Sequence, residues 1–181
     1  MQKNKILHFD FELTNEERKV FGKKETVTLY KNGGEGMPHI IMKLLAYFWF
    51  YHPDLKIEKA ANQNWKPDLV RFDLRGEPVQ WIDCGETKRH KLDRISTRNK
   101  KTNIHIVKKS QKELLTYKEV VERTLRHPER VKYFAPDLEF VDALEKLIFG
   151  RHKLIVTVLG ELDFIYLDID GVLLESKIHK V

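Results

Sequence analysis

The chain reads as an α/β protein in which a central mixed β-sheet is flanked by helices and carries a β-hairpin extension at its C-terminal end. Three features lead there: short runs alternate apolar and polar residues, one longer segment is apolar on every side, and strand-like and helix-like runs follow one another in mixed order.

Leu7, Phe9, Phe11 and Leu13 alternate with His8, Asp10 and Glu12, which is the period of a half-buried strand over Lys5 to Leu13. Thr26 to Tyr30 forms a second strand, ended by Asn32-Gly33-Gly34. Met37 to Tyr51 is apolar nearly all round, so it forms a helix buried against a sheet and stopped by His52-Pro53. Within it, Ile40 to Tyr51 is interrupted only by Lys43, but it falls short of the roughly 20 residues a bilayer requires. No membrane partner is expected.

Pro67 opens a strand over Asp68 to Leu74, and Gly76 and Pro78 mark a tight connection to a second strand, Val79 to Gly85. Together these make a hairpin. A basic helix follows, with Leu92 and Ile95 on its inner face, and then the apolar strand Ile104 to Val107. Leu114 to Leu125 and Leu138 to Phe149 are helical stretches separated by a short strand, Val131 to Phe134. Leu154 to Leu159, Leu162 to Ile169 and Val172 to Ile178 are strands. The D-x-D-G-V run at Asp168 to Val172 resembles a phosphatase nucleophile motif, but only ten residues follow Gly171. Asp170-Gly171 is therefore read as a type I′ hairpin turn. With no Ser/Gly-rich linker and no internal repeat, residues 1–181 are expected to form a single domain.

The 41% hydrophobic content, spread along 181 residues, is enough for a continuous core and excludes a disordered chain. The one cysteine, Cys84, excludes an intrachain disulfide and a Cys-based zinc cluster, and it reads as a small buried side chain. The eight histidines show no H-E-x-x-H spacing. The N-terminal run MQKNKILHFDFEL lacks the apolar stretch of a signal peptide, so a cytoplasmic location is expected. Residues 88–132 hold 15 Lys and Arg against 5 Asp and Glu, while the remainder is net acidic. That polarity suits one face turned toward a polyanion, with nucleic acid as the expected partner.

Two carboxylates stand out. A turn at Arg75-Gly76-Glu77-Pro78 sets Val70 opposite Asp83 and Asp68 opposite Gly85, making Asp68 and Asp83 diagonal neighbours on one face, roughly 7 Å apart. Like charges at that separation repel, and a hard cation such as Mg²⁺ relieves the conflict.

Pro67-Asp68, then Trp81-Ile82-Asp83-Cys84-Gly85 at strand spacing, behind a buried helix introduced by Glu35 and carrying Leu44-Leu45-Ala46, resembles the YaeQ family along nearly the whole chain. The resemblance implies the core of the PD-(D/E)xK, restriction-endonuclease-like superfamily. In that superfamily an acid on the helix, one after Pro and one on the next strand gather Mg²⁺ at a scissile phosphate. By position these are Glu35, Asp68 and Asp83, with the Cys84 carbonyl as a further ligand. The lysine that follows the last acid by two residues is replaced by Gly85, and Lys88, one helical turn on, is the candidate to bring an ammonium back. Lys88, Arg89, Lys91, Arg94 and Arg98 are the candidate nucleic-acid contacts, and Trp65 and Trp81 flank the acidic pair. The resemblance thus implies a Mg²⁺-dependent phosphodiesterase or nuclease. The alternative is a non-catalytic nucleic-acid-binding or regulatory protein that kept the fold without the lysine.

Overall fold

A computed structural model describes residues 4–61 and 65–181. In chain order the elements are β1 (Lys5–Asn15), β2 (Val20–Lys31), α1 (Met37–Trp49), β3 (Lys56–Ile57), β4 (Leu69–Phe72), β5 (Pro78–Cys84), α2 (Arg89–Arg98) and β6 (Asn103–Val107). They continue with α3 (Gln111–Glu122), a 3₁₀ turn at Pro128–Arg130, β7 (Val131–Ala135), α4 (Leu138–Leu147), β8 (Arg151–Leu159), β9 (Phe164–Ile169), β10 (Val172–Lys177) and β11 (His179–Lys180). The strands divide between two mixed sheets, where the sequence pattern suggested one central sheet, and the chain clusters into two compact units.

The first unit comprises residues 1–51 and 136–178 and holds a sheet in the order β10-β9-β8-β1-β2. β1 runs parallel to β8, and the other pairs are antiparallel. The alternation read in β1 holds: Leu7, Phe9, Phe11 and Leu13 are buried. Phe11 meets Tyr47, Phe48 and Tyr51 of the α1 region edge-on at 5.1–6.3 Å, a geometry that sets ring edges against ring faces. Every residue of α1 from Ile40 to Trp49 is buried. That leaves the carbonyls of its last turn without water, and the fully buried Asn15 supplies the missing donor: Nδ2 donates to the Phe48 carbonyl at 2.8 Å. The C-terminal hairpin β9–β10 extends this sheet. Its two-residue loop has Asp170 at φ 51° and Gly171 at φ 89°, as a type I′ turn requires.

The second unit comprises residues 52–135 and 179–181, with sheet order β11-β7-β6-β5-β4-β3. β5, β6 and β7 are parallel, and β3, β4 and β5 form an antiparallel meander. Trp81, Ile104, Ile106 and Tyr133 project from the strands into one cluster with Leu92 and Ile95 of α2 and Leu114 and Val121 of α3. β6 lies between two parallel neighbours, and its residues 104–107 are buried without a break, apolar but for His105. Among the described residues no helix is long and apolar enough to cross a membrane.

Candidate functional site

The β4–β5 hairpin sets the site. Its turn is closed by Asp73, not by residues 75–78: the Asp73 amide donates to the Glu77 carbonyl at 2.9 Å, and its Oδ1 accepts from the Arg75 and Glu77 amides, each at 2.9 Å. Gly76, at φ 79°, takes the left-handed position of the resulting three-residue loop. A bulge between Arg71 and Phe72 absorbs one more residue of β5, and the register becomes Val70↔Trp81 and Leu69↔Ile82. The paired ladder ends at Leu69↔Ile82, with Asp68 just beyond it; continued by one residue, this register would set Asp68 against Asp83 and not diagonal to it, as a 75–78 turn implied. The two acids still share one face, because a shift of two residues preserves facing.

Asp68 is half-buried, and its Oδ2 accepts the Cys84 amide at 2.7 Å. Asp83 is 3% exposed, so its carboxylate lies inside the second unit and not on an open face. Burial holds its carboxyl above the ordinary carboxylate range. The nearby Lys91 ammonium opposes that rise, and the charge of Asp68 adds to it. Lys91 Nζ lies 2.9 Å from Asp83 Oδ2 and 5.6 Å from the centre of the Trp81 ring. Lys91, one turn into α2, thus delivers the ammonium that the sequence assigned to Lys88, while Lys88 stands exposed at the N-cap of that helix.

Gly85 has φ 72° and donates its amide to the Val107 carbonyl. Its own carbonyl accepts from Lys108 Nζ, and that ammonium also sits 3.7 Å above the Tyr117 ring. Burial holds the Lys108 amine below its ordinary range. Tyr117 donates its hydroxyl to the Thr87 carbonyl at 2.9 Å, and its phenol is pushed up to about 12 by burial and by the charge of Asp83. Sequence reasoning missed Lys108 and Tyr117. Lys108 follows Val107, the parallel-register partner of Cys84, and the one available signal was an apolar strand ending in Lys108-Lys109.

Arg89, Arg94 and Arg98 are exposed along α2, as expected, and Arg94 lies over the Trp65 ring at 6.0 Å. An open cleft of about 630 Å³ is lined by Lys88, Arg89 and His90 from the start of α2 and by Tyr117 and Val120 from α3. The Cys84 side chain is buried, as the sequence suggested, and Trp81 is wholly enclosed, which removes it as a base-stacking surface.

Glu35 lies in the first unit. Its Oε2 accepts the Asn32 amide at 2.8 Å, and its Oε1 is 3.4 Å from both Lys43 Nζ and His39 Nε2. Lys43 is 1% exposed, so Glu35 neutralises a cation buried in α1. Among the described residues no group of three or more His, Cys, Asp or Glu side chains stands arranged as a metal site. Within the second unit the carboxylates that could hold a cation are Asp68 and Asp83, and Mg²⁺ is an ion that binds through one or two carboxylates and keeps several waters.

A search of the curated proteins returned no match. The fold matches the crystal structure of the YaeQ protein from Xanthomonas axonopodis pv. citri with a TM-score of 0.82 at 16% identity, over 98% of each chain. It matches that of the YaeQ protein from Pseudomonas syringae with a TM-score of 0.83 at 19% identity, over 100% of this chain and 97% of the other. The family model for the YaeQ protein matches residues 1–176, and the chain belongs to the YaeQ family.

Proposed function

We propose that this chain is a nuclease-like phosphodiesterase acting on nucleic acid, with Asp68 and Asp83 as metal-binding carboxylates and Lys91 in place of the lysine absent at position 85. The observation that carries this reading is the Lys91–Asp83 pair, 2.9 Å apart, facing Asp68 across the β4–β5 hairpin. Taking a carboxylate and an ammonium out of water costs several kcal/mol per ion, and apolar residues of like volume serve the fold as well or better. The buried Asp83 carboxylate, beside a core that includes Trp81, Ile104 and Ile106 and with its half-buried Lys91 partner, therefore argues for a chemical task. The order of the elements supports it too: Pro67-Asp68 leads into β4 and Asp83 stands on the next strand, β5, in the order that the PD-(D/E)xK resemblance implies.

Mg²⁺ held by Asp68 and Asp83 would polarise a phosphoryl oxygen and lower the pKa of a bound water. The chain's own residues do the rest. The Cys84 amide fixes the Asp68 carboxylate, while Asp83, destabilised as an anion by burial and by Asp68, is held ready for a cation. Lys91 pairs with Asp83 while about a fifth of its side chain stays in solvent, and its ammonium would offset the charge that develops on a phosphate. The exposed Arg89, Arg94 and Arg98 would hold the flanking backbone.

A second reading, a binding protein without catalysis, is favoured by one observation: Lys91 already neutralises Asp83, and Gly85 offers no side chain. Calorimetric titration with Mg²⁺ and Mn²⁺, beside cleavage assays on single-stranded and plasmid DNA, separates the two. The nuclease reading expects metal binding and cleavage in the wild type, both lost in Asp83→Asn, and cleavage alone lost in Lys91→Met. A wild type that binds no metal better than Asp83→Asn and cuts nothing leaves the binding reading.

A further inference from the structure

We propose that Trp65, with Arg94 above its ring, is a stacking platform for an unpaired nucleobase, so that the substrate class is single-stranded nucleic acid. The three tryptophans are used differently: Trp49 and Trp81 are 4% and 0% exposed, whereas Trp65 packs part of its indole on the second unit's core and leaves the rest in solvent. It stands two residues ahead of Pro67-Asp68, with its carbonyl held by the Ala61 amide at 3.0 Å. On α2, Lys91 and Arg94 are three positions apart and so project side by side, with Cβ atoms about 5–6 Å apart. Lys91 ends on Asp83 and Arg94 on Trp65. One turn of helix therefore ties the half-open indole to the acidic pair.

An indole face accepts any base, and a guanidinium either stacks on that base or pairs with its phosphate. Inside a duplex both faces of each base are already stacked, so only an unpaired base gains from the platform. The stacking increment does not depend on salt, unlike the contribution of the surrounding Lys and Arg residues. The location of the strand rests on the proposed phosphodiester role of Asp68 and Asp83, while the stacking itself does not.

The full-length Asp83→Asn protein, without divalent metal, separates binding from cleavage. The probes are a 20-residue oligothymidylate, a blunt DNA duplex of the same length and heparin, followed by anisotropy and tryptophan quenching. Oligothymidylate should bind more tightly than the duplex and quench fluorescence, and Trp65→Phe should abolish the quench but keep most of the affinity. Trp65→Ala should weaken oligothymidylate binding by about 5- to 150-fold, the range for one stacked base, with heparin affinity and the salt slope unchanged. Should Trp65→Ala fail to fold, Trp65→Leu preserves apolar packing and carries the same expectation. Equal losses for oligothymidylate and heparin, no loss in the folded variant, or equal affinity for duplex and single strand would overturn the platform. Trp65-dependent binding by a wild type that never cuts sustains it while the nuclease reading fails; metal-dependent cutting without Trp65 dependence does the reverse.

Discussion

Replacing Lys91 by Met keeps most of the side chain's length and removes its charge, leaving Asp83 buried at 3% exposure beside Asp68 with no counter-charge at 2.9 Å. Breaking a buried pair from one side costs about 3–5 kcal/mol, and because Lys91 keeps 21% of its side chain in solvent the lower end, about 3 kcal/mol at neutral pH, is expected. The loss has a pH signature. The Asp83 carboxyl is already held above the ordinary carboxylate pKa, so between that value and the raised one the folded protein retains a proton that the unfolded chain has released. The contribution of Asp83 to stability therefore declines as pH rises through this window and is flat above it. In Lys91→Met the window extends to higher pH. Below the ordinary carboxylate pKa Asp83 is neutral in both states, and the two proteins should converge in stability. Urea denaturation at a series of pH values, on wild type, Lys91→Met, Asp83→Asn and the double variant, measures both the cost and the coupling. A Lys91→Met protein as stable as wild type at pH 7, or a coupling near zero in the double-mutant cycle, would refute the ion pair as the organising contact of the site.

Asn15→Ala removes the side-chain donor to the buried Phe48 carbonyl and should lower first-unit stability by about 1–3 kcal/mol in the same denaturation assay. Gly85→Lys places a β-carbon at φ 72° and crowds the carbonyl that Lys108 holds, so a loss of about 1–2 kcal/mol and no gain in cleavage are expected. A folded Gly85→Lys protein with Mg²⁺-dependent cleavage above wild type would show that position 85 still governs the chemistry. If α2 meets phosphates, Arg89→Gln and Arg98→Gln should each reduce the slope of log affinity against log salt by about one, measured by anisotropy, with no change in preference between sequences.

Much of the candidate site was legible because its residues are local to one hairpin. Pro67 before Asp68 and the Gly76–Pro78 break marked two strands, and period-two facing put Asp68 and Asp83 on one side whether the register sum was off by two or not. The register itself was not legible, because it depends on the Asp73 carboxylate closing a three-residue loop and on a bulge, and both are tertiary solutions to twist and packing. Lys88 and Lys91 are equivalent in composition. Which of them meets Asp83 follows from how α2 docks on the sheet through Leu92 and Ile95, a rotation that the spacing alone leaves open.

What the sequence determined by itself are the quantities that act over a few residues: alternation in β1, the all-round apolar character of α1, the Asp170-Gly171 turn and the clustering of cations after residue 88. The first follows from side-chain polarity repeating at 2 residues and the third from the backbone preference of a turn, while the second and fourth are matters of local composition. Only the tertiary structure decided that β1 pairs in parallel with β8, about 140 residues away, and that the strands separate into two sheets. It alone placed Lys108 on Gly85 from the neighbouring strand, and it assigned Glu35 to the buried Lys43. The physical reason is common to the first three, since Glu35 and Lys43 stand only eight residues apart. Strand pairing and buried charge compensation gain their free energy from contacts between distant segments, once the entropy of closing the chain between them has been overcome, and no local periodicity records which partner is chosen.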